Sequence, residues 1–194
     1  MKKKSKALRY IANILLSILG VFLLAFLLVS LIAPKKAVNT FGFNFYRVLT
    51  ESMEPEIKIN DVVIVVPVSK ADLQPGDIIN FETYVWDNTK QEIVAINVTH
   101  YLGAIEEEDG RTVYKTQSYT RHQDGTYDTD WLDEDGDPID IFEEDINGRV
   151  CFTIPYLGYL IQILKSPIMI VLLVINGALI YVLVKIIKKK PKTK

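Results

Sequence analysis

The chain of 194 residues contains one cysteine and two histidines. A single cysteine, Cys151, excludes an internal disulfide, so any folded part must rest on its own hydrophobic core. His100 and His122, together with Cys151, do not form a zinc-binding spacing.

Charged side chains are absent from two long stretches, residues 11–33 (IANILLSILGVFLLAFLLVSLIA) and 167–184 (PIMIVLLVINGALIYVLV). A membrane-spanning helix needs about 20 apolar residues. The first stretch is long enough, and the second becomes so at residues 167–187 if Lys185 snorkels. A cleaved signal peptide is disfavoured, because its apolar core would span only roughly 7–15 residues. The sequence predicts two transmembrane helices, at 11–33 and 167–187.

Basic residues flank both apolar stretches, with five in residues 1–10 and six in 185–194. Lys and Arg beside membrane helices stay on the cytoplasmic side, so residues 1–10 and 188–194 are predicted to be cytoplasmic. Residues 34–166 hold 11 basic and 24 acidic side chains, a net charge of −13. This part is predicted to be extracytoplasmic, and its acidity argues against a nucleic-acid partner.

The outer part, residues 34–166, reads as mainly β. Strands are predicted at FGFNFYRVLT, where three Phe alternate, at the β-branched run VVIVVPV, and at PGDIINFETYVW. Residues 93–105 alternate as well, and an Asp-Gly hairpin turn leads from them into RTVYKTQ. GRVCFTI is predicted as the last strand. Outside the two apolar stretches, almost no segment has a helical period.

Acidic side chains are concentrated in residues 124–145, where eleven of 22 residues are Asp or Glu. Such a composition predicts a solvated, mobile loop inserted into the β domain. A calcium loop is the alternative interpretation. It is disfavoured because no register places a glycine at the sixth position of an EF-hand loop together with the acids.

The segment LTESMEPEI contains one serine, Ser52, which is a candidate nucleophile. Ser52 lies 19 residues after the first apolar stretch, so it is expected close to the membrane surface. A serine hydroxyl needs a base and oxyanion donors to act as a nucleophile. His100 alternates with apolar residues in INVTHYLGAI, whereas His122 lies in the polar segment TRHQDG. An ordinary turn serine and a structural histidine remain the alternatives.

Four segments in order resemble the conserved boxes of type I signal peptidases. SMEPEI resembles the Ser-Met-x-Pro box, and LQPGDIINF resembles the Gly-Asp box that follows it. NVTHYLG resembles the box that carries a catalytic Lys in one branch. Here His100 stands in its place, as in the endoplasmic-reticulum, archaeal and sporulation-associated Gram-positive branch. NGRVCFTIPYLGYL resembles that branch's final strand and turn, so the resemblance covers about residues 45–160.

The resemblance implies a signal-peptidase-like β domain and a serine endopeptidase. It would remove signal peptides from exported preproteins after small residues. Ser52 would be the nucleophile and His100 the general base. The Ser52 backbone N–H and the Thr50 hydroxyl would form the oxyanion hole, while Met53 and Pro55 would shape the substrate cleft. It implies no metal or cofactor.

The resemblance is incomplete at the acid that supports the base. That branch usually carries Thr-Lys-Gly-Asp after the strand and another Asp several residues later, and one of these two acids supports the base. This chain continues from Thr116 with Gln-Ser-Tyr, so the first of these aspartates is missing. The acid would then come from the following loop. Asp128 is favoured over Asp130 and Asp124, because YDTDWL looks more ordered than the residues before it. All three being solvated is the remaining alternative.

The missing aspartate keeps open a second class of function. A relative with little or no activity could serve as a binding or scaffold module of a secretion complex. The expected partners are secretory preproteins and the lipid bilayer, with secretion machinery as a further candidate. The expected location is the plasma membrane of a bacterium or archaeon rather than the endoplasmic reticulum. Both a general signal peptidase and a peptidase dedicated to a few substrates are consistent with these residues.

Overall fold

Residues 2–189 are described by the structure, a computed structural model. Helix α1 (Lys2–Ile32) includes the first apolar stretch except its last residue, Ala33. Its segment Arg9–Ile32 has a mean hydropathy of 3.0 and no buried residues, and it is the one described helix with the length and composition of a membrane span. Helix α5 (Pro167–Lys189) forms at the second stretch, but its role as a span stays a prediction. The end of the predicted cytoplasmic tail, residues 190–194, lies outside the described residues.

Between these helices the chain forms one antiparallel sheet of six strands in the order β1-β2-β6-β3-β4-β5. The strands are β1 (Asn44–Arg47), β2 (Val62–Val66), β3 (Ile78–Asp87), β4 (Glu92–Glu108), β5 (Arg111–Gln117) and β6 (Ile146–Ile154). The β-branched and alternating segments occupy these strands, as expected from the way such side chains pack on a pleated surface. The mainly β prediction is therefore confirmed for this part of the chain.

Three short helices accompany the sheet: α2 (Pro34–Phe41), α3 (Tyr119–Asp124) and α4 (Leu157–Lys165). The strand predicted for FGFNFYRVLT is partly wrong, because α2 includes Phe41. Proline at the first position starts this helix, and Gly42 in the left-handed conformation ends it. The alternating phenylalanines instead pack against α1, where the Phe26 ring lies 5.2 Å from Phe41 and from Phe43.

Two hydrophobic clusters fill the core. The first cluster lies around the segment that carries Ser52, and its buried members are Val38, Met53, Ile57, Val63, Val65 and Tyr101. The second cluster lies behind the other half of the sheet and comprises Leu73, Ile79, Phe81, Leu102, Tyr114 and Ile141. Burying one large apolar side chain contributes about 1.5–3 kcal/mol. The first cluster stabilises the region around β2 and the Ser52 segment, and the second stabilises the region of β3, β4 and β5.

The acidic segment, residues 124–145, is not the loosely attached insertion that its composition predicts. Ile141 is only 2% exposed and belongs to the second cluster. Leu132 exchanges backbone hydrogen bonds with Tyr84 of β3, and the Lys115 ammonium lies 2.9 Å from the Asp140 carboxylate. Isolated apolar residues between the acids thus attach the segment to the sheet, while many acidic side chains remain exposed.

Helix α4 is fixed to the turn that precedes β2. The N–H of Gly158 donates to the Asn60 carbonyl over 2.8 Å, and a Cβ at Gly158 would lie 2.6 Å from the same oxygen. The N–H of Tyr156 donates to the Asp61 carboxylate, and Arg47 donates to the Asn60 side chain. Glycine is therefore required for this close approach, which joins α4 to the end of β1.

Candidate active site

Ser52 lies in a compact turn that follows β1. The Ile57 N–H donates to the Met53 carbonyl, and the Glu54 N–H donates to the Glu51 carbonyl. Met53 is 1% exposed and attaches the turn to the first cluster. Because neighbouring residues are fixed in this way, the half-buried Ser52 is held between the core and the surface.

His100 lies on β4, where it pairs with β3. It pairs with Ile79 in the β3–β4 ladder and is 4% exposed. Its ring lies 5.5 Å from the Trp131 ring and 6.3 Å from the Phe81 ring, between centroids. Its Nε2 atom lies 2.9 Å from the Ser52 hydroxyl oxygen, which is hydrogen-bond distance. The predicted nucleophile and base, 48 residues apart in sequence, are therefore neighbours.

Asp128 lies on the opposite side of the imidazole. Its Oδ2 atom is 2.7 Å from His100 Nδ1 and also accepts a hydrogen bond from the Thr116 hydroxyl. Its Oδ1 atom accepts from the Ser118 N–H and from Arg121 Nη1, each over 3.1 Å. The four acceptor positions of the carboxylate are thus filled, which fixes its orientation although Asp128 lies outside any strand.

These contacts indicate which ring nitrogen of a neutral His100 carries the proton and whether Asp128 is ionised. An ionised Asp128 requires the proton of a neutral His100 on Nδ1, so Nε2 is left to accept from the Ser52 hydroxyl. Burial alone would raise the pKa of Asp128. The hydrogen bond and charge of His100, with the Thr116 and Ser118 donors, outweigh burial and lower the pKa below its ordinary value. Asp128 therefore stays ionised at neutral pH.

The other two candidate acids do not reach His100. The Asp130 side chain is 69% exposed, and it accepts a hydrogen bond from Arg121 Nη2 over 2.8 Å. Asp124 is exposed at the last position of α3. Of the three acids considered from the sequence, Asp128 is the one that the fold brings to the base.

Two groups near the Ser52 hydroxyl could donate hydrogen bonds to a negatively charged substrate oxygen. The exposed Thr50 hydroxyl lies 3.2 Å from the Ser52 hydroxyl. Among the described residues, the backbone N–H of Ser52 has no protein acceptor. Both predicted oxyanion donors therefore lie next to the nucleophile.

A groove of about 400 Å³ begins at Ser52. It runs between the end of β1 and β4, and its lining includes Val48, Thr50, Met53, Ile57, Ile96 and Val98. Met53 lines this groove, and its role in a substrate cleft stays a prediction. Pro55 does not line the groove, because the turn carries it to the exposed side and returns the chain to the groove at Ile57.

One wall of this groove is an unpaired strand edge. Residues 92–101 of β4 pair with β3, whereas β5 pairs with β4 only from Tyr101 onward. In the described part of the chain, the second edge of residues 95–99 thus has no strand partner. Backbone groups on such an edge can bind an extended peptide.

Several residues of the site were not singled out from the sequence. The Trp131 indole N–H donates to the Thr116 hydroxyl, which in turn donates to Asp128. Arg121 contacts both Asp128 and Asp130. The Tyr119 N–H donates to the Ser52 carbonyl. Alternation on β5 points to Thr116, but the other contacts depend on how residues 118–131 fold back.

Within residues 2–189, no group of three or more His, Cys, Asp or Glu side chains is arranged to hold a metal ion. No known protein-family model matches this chain, and no curated protein sequence matches it either. Any functional conclusion therefore depends on the residues and their geometry.

Proposed function

We propose that this protein is a membrane-bound serine endopeptidase in which Ser52, His100 and Asp128 form the catalytic triad. The observation that carries the proposal is the continuous series of hydrogen bonds from the Ser52 hydroxyl through the His100 imidazole to the Asp128 carboxylate. A base within about 2.6–3.2 Å of the nucleophile, and itself oriented by an acid, is the arrangement that activates serine.

The reaction follows from these contacts. The Ser52 oxygen bonds to the carbonyl carbon of the scissile peptide, while His100 Nε2 takes the hydroxyl proton. His100 then gives that proton to the amide nitrogen, the carbon–nitrogen bond breaks, and the new amino terminus leaves. Water attacks the resulting ester by the same proton transfers and regenerates Ser52. Asp128 stabilises the positively charged imidazole in each half.

The oxyanion of each tetrahedral intermediate would accept from the Ser52 N–H and the Thr50 hydroxyl. Losing one such donor costs about 10²–10³ in rate in other serine peptidases. Thr50 currently contacts the Ser52 hydroxyl, so it must turn toward the substrate oxygen when the substrate binds.

The substrate class we propose is an exported preprotein, cut after a small residue at the end of its signal peptide. An extended peptide fits between the edge of β4 and the end of β1, where apolar side chains line the groove. The apolar helix α1 precedes the domain by only a few residues. The catalytic domain would therefore act near a bilayer, on its extracytoplasmic side, with both termini cytoplasmic.

The signal-peptidase resemblance supports the same proposal, in the branch with histidine as base. Plasma membrane of a bacterium or archaeon is the proposed location, and α5 is the proposed second span. The alternative of an inactive binding module rested on the missing aspartate. Asp128 Oδ2 lies 2.7 Å from His100 Nδ1 although the first aspartate of that branch is missing, and this contact weakens the support for that alternative.

The test is cleavage of a purified preprotein by the full chain in detergent micelles, with Ser52→Ala as the matched control. We expect one cut after a small residue, identified by the masses of both products, and no cut by the variant. Binding of preproteins by the folded chain without any cleavage would favour the binding module instead.

A further inference from the structure

We infer that Arg121 is a positioning residue that adjusts how strongly Asp128 acts on His100, with Asp130 as its counter-charge. This inference rests on the proposed peptidase function. The guanidinium spans two carboxylates, with Nη1 3.1 Å from Asp128 Oδ1 and Nη2 2.8 Å from Asp130 Oδ2. One of these carboxylates is buried and touches the base, whereas the other is largely exposed to solvent.

The burial of these groups indicates that the pair is more than a surface contact. The Asp128 side chain is 3% exposed and Arg121 is 31% exposed, so their attraction is only partly screened by water. Asp130 is 69% exposed and partly neutralises the guanidinium. Arg121 fills one of the four acceptor positions of Asp128, and the other three are filled by His100, Thr116 and Ser118.

Local structure explains how Arg121 reaches this position. Ser118 caps α3 by accepting a hydrogen bond from the Arg121 N–H, and its own N–H donates to Asp128. The next residue, Tyr119, donates its N–H to the Ser52 carbonyl. The four residues 118–121 therefore connect the nucleophile turn, the acid and the guanidinium. They stand where the resembling branch has a different sequence.

Two opposite effects follow from electrostatics. A positive charge beside Asp128 reduces the negative potential that the carboxylate exerts at His100, so neutralising Arg121 should favour the protonated imidazole. Removing the charge of Asp130 should have the opposite effect, because Arg121 then acts without its counter-charge. Both changes act on His100 through electrostatics, so they should shift its NMR titration midpoint in opposite directions.

Other charged groups near the site must be controlled. His122 is the other imidazole near the site; it is hydrogen-bonded to Gln117 and stacks on Tyr101 at 4.1 Å between ring centroids. Tyr101 donates to Glu56 of the nucleophile turn. Because the chain has only two histidines, His122→Gln leaves a single imidazole to observe.

The experiment uses the full chain in detergent micelles with the His122→Gln background, labelled with ¹⁵N-histidine. The imidazole nitrogens of His100 are followed by NMR from about pH 4 to 9. Four proteins are compared: the His122→Gln background and the same background carrying Arg121→Met, Arg121→Lys or Asp130→Asn. We expect the titration midpoint to rise with Arg121→Met and to fall with Asp130→Asn. It should change little with Arg121→Lys, which retains the charge.

The acidic limb of kcat/KM against pH for preprotein cleavage should move in the same directions. Unchanged midpoints in both Arg121→Met and Asp130→Asn would overturn the inference and leave Arg121 a structural ion pair. Asp130 is exposed, so its variant tests the inference even if Arg121→Met fails to fold. NMR midpoints that move while the intact chain cuts nothing would contradict the peptidase proposal and leave the role of Arg121 toward His100 intact.

Discussion

The two halves of the candidate site are built differently. His100 and Asp128 are buried, and every polar atom of the carboxylate is bonded within the described structure. Ser52 and Thr50 lie on a turn, half-buried and exposed respectively, with one hydroxyl contact between them. The acid–base half is thus fixed before any substrate arrives, whereas the nucleophile half leaves its donors accessible. A preorganised base combined with an open oxyanion hole is what acyl transfer requires.

Apart from removal of the proposed nucleophile or base, the largest effect we expect comes from Asp128→Asn, on the buried half. The amide keeps the shape of the side chain but removes the charge that stabilises the imidazolium, so kcat should fall by about 10⁴-fold. Asp124→Asn is the matched control, because that carboxylate is exposed and does not reach His100. Steady-state cleavage of a preprotein measures the activity of both variants. A loss below tenfold for Asp128→Asn would show that the activity does not depend on this acid.

The second prediction compares the two hydrophobic clusters that support the halves. Met53→Ala in the first and Leu102→Ala in the second should each lower the free energy of unfolding by about 2–5 kcal/mol. At a temperature where both variants are folded, only Met53→Ala should also lower kcat markedly, because Met53 adjoins Ser52 and lines the groove. Thermal unfolding followed by circular dichroism, together with cleavage rates, gives both values. Equal activity losses in the two variants would contradict the separation of the halves.

Thr50→Val tests the exposed half alone. Replacing the hydroxyl by a methyl group of similar size should lower kcat by about 10²-fold with little change in KM, because the donor acts on the oxyanion rather than on the ground state. Thr50→Ser, which keeps the hydroxyl, should retain most of the activity. If Val and Ser variants behave alike, Thr50 is only a residue of the turn.

The smallest effect concerns the stability of the buried half in acid. The pKa of Asp128 is lowered from the ordinary 3.8, so its contribution to stability is complete above that value. The contribution is lost as the pH falls through the lower folded pKa. Melting temperatures measured between about pH 6 and 2 should therefore fall more steeply for the native chain than for Asp128→Asn. Parallel curves would show that the carboxylate is not selectively stabilised by its partners.

Strand patterns in the sequence predicted most of the sheet. The reason lies in the β-branched run of β2 and the alternation along β4, whose apolar side chains contribute to the two clusters. Helices α2, α3 and α4 were missed because each is short. The capping of α2 by Pro34 and Gly42 was a readable signal. Helix α3 is also capped locally, by Ser118 at its start and by left-handed Gly125 at its end, and contacts of Ser118 and Tyr119 with distant residues set its position.

The candidate site was predicted unevenly for the same physical reason. Ser52 and His100 lie in segments with recognisable patterns, and the sheet brings these two residues close together. The choice between Asp128 and Asp130 depends on which of the two side chains turns inward. The two residues lie on an irregular loop, where the sequence carries no periodic pattern that shows the direction of a side chain. The contribution of Arg121 requires α3 to fold back on that loop, which no local pattern in TRHQDG indicates.

The most direct test of the triad is kcat/KM for preprotein cleavage by Ser52→Ala, His100→Ala and the double variant. Residues that act as one unit are not additive. We predict that each single variant loses about 10⁶-fold and that the double variant loses no more than either one. Activity within tenfold of the native chain in His100→Ala, or losses that multiply in the double variant, would contradict the account.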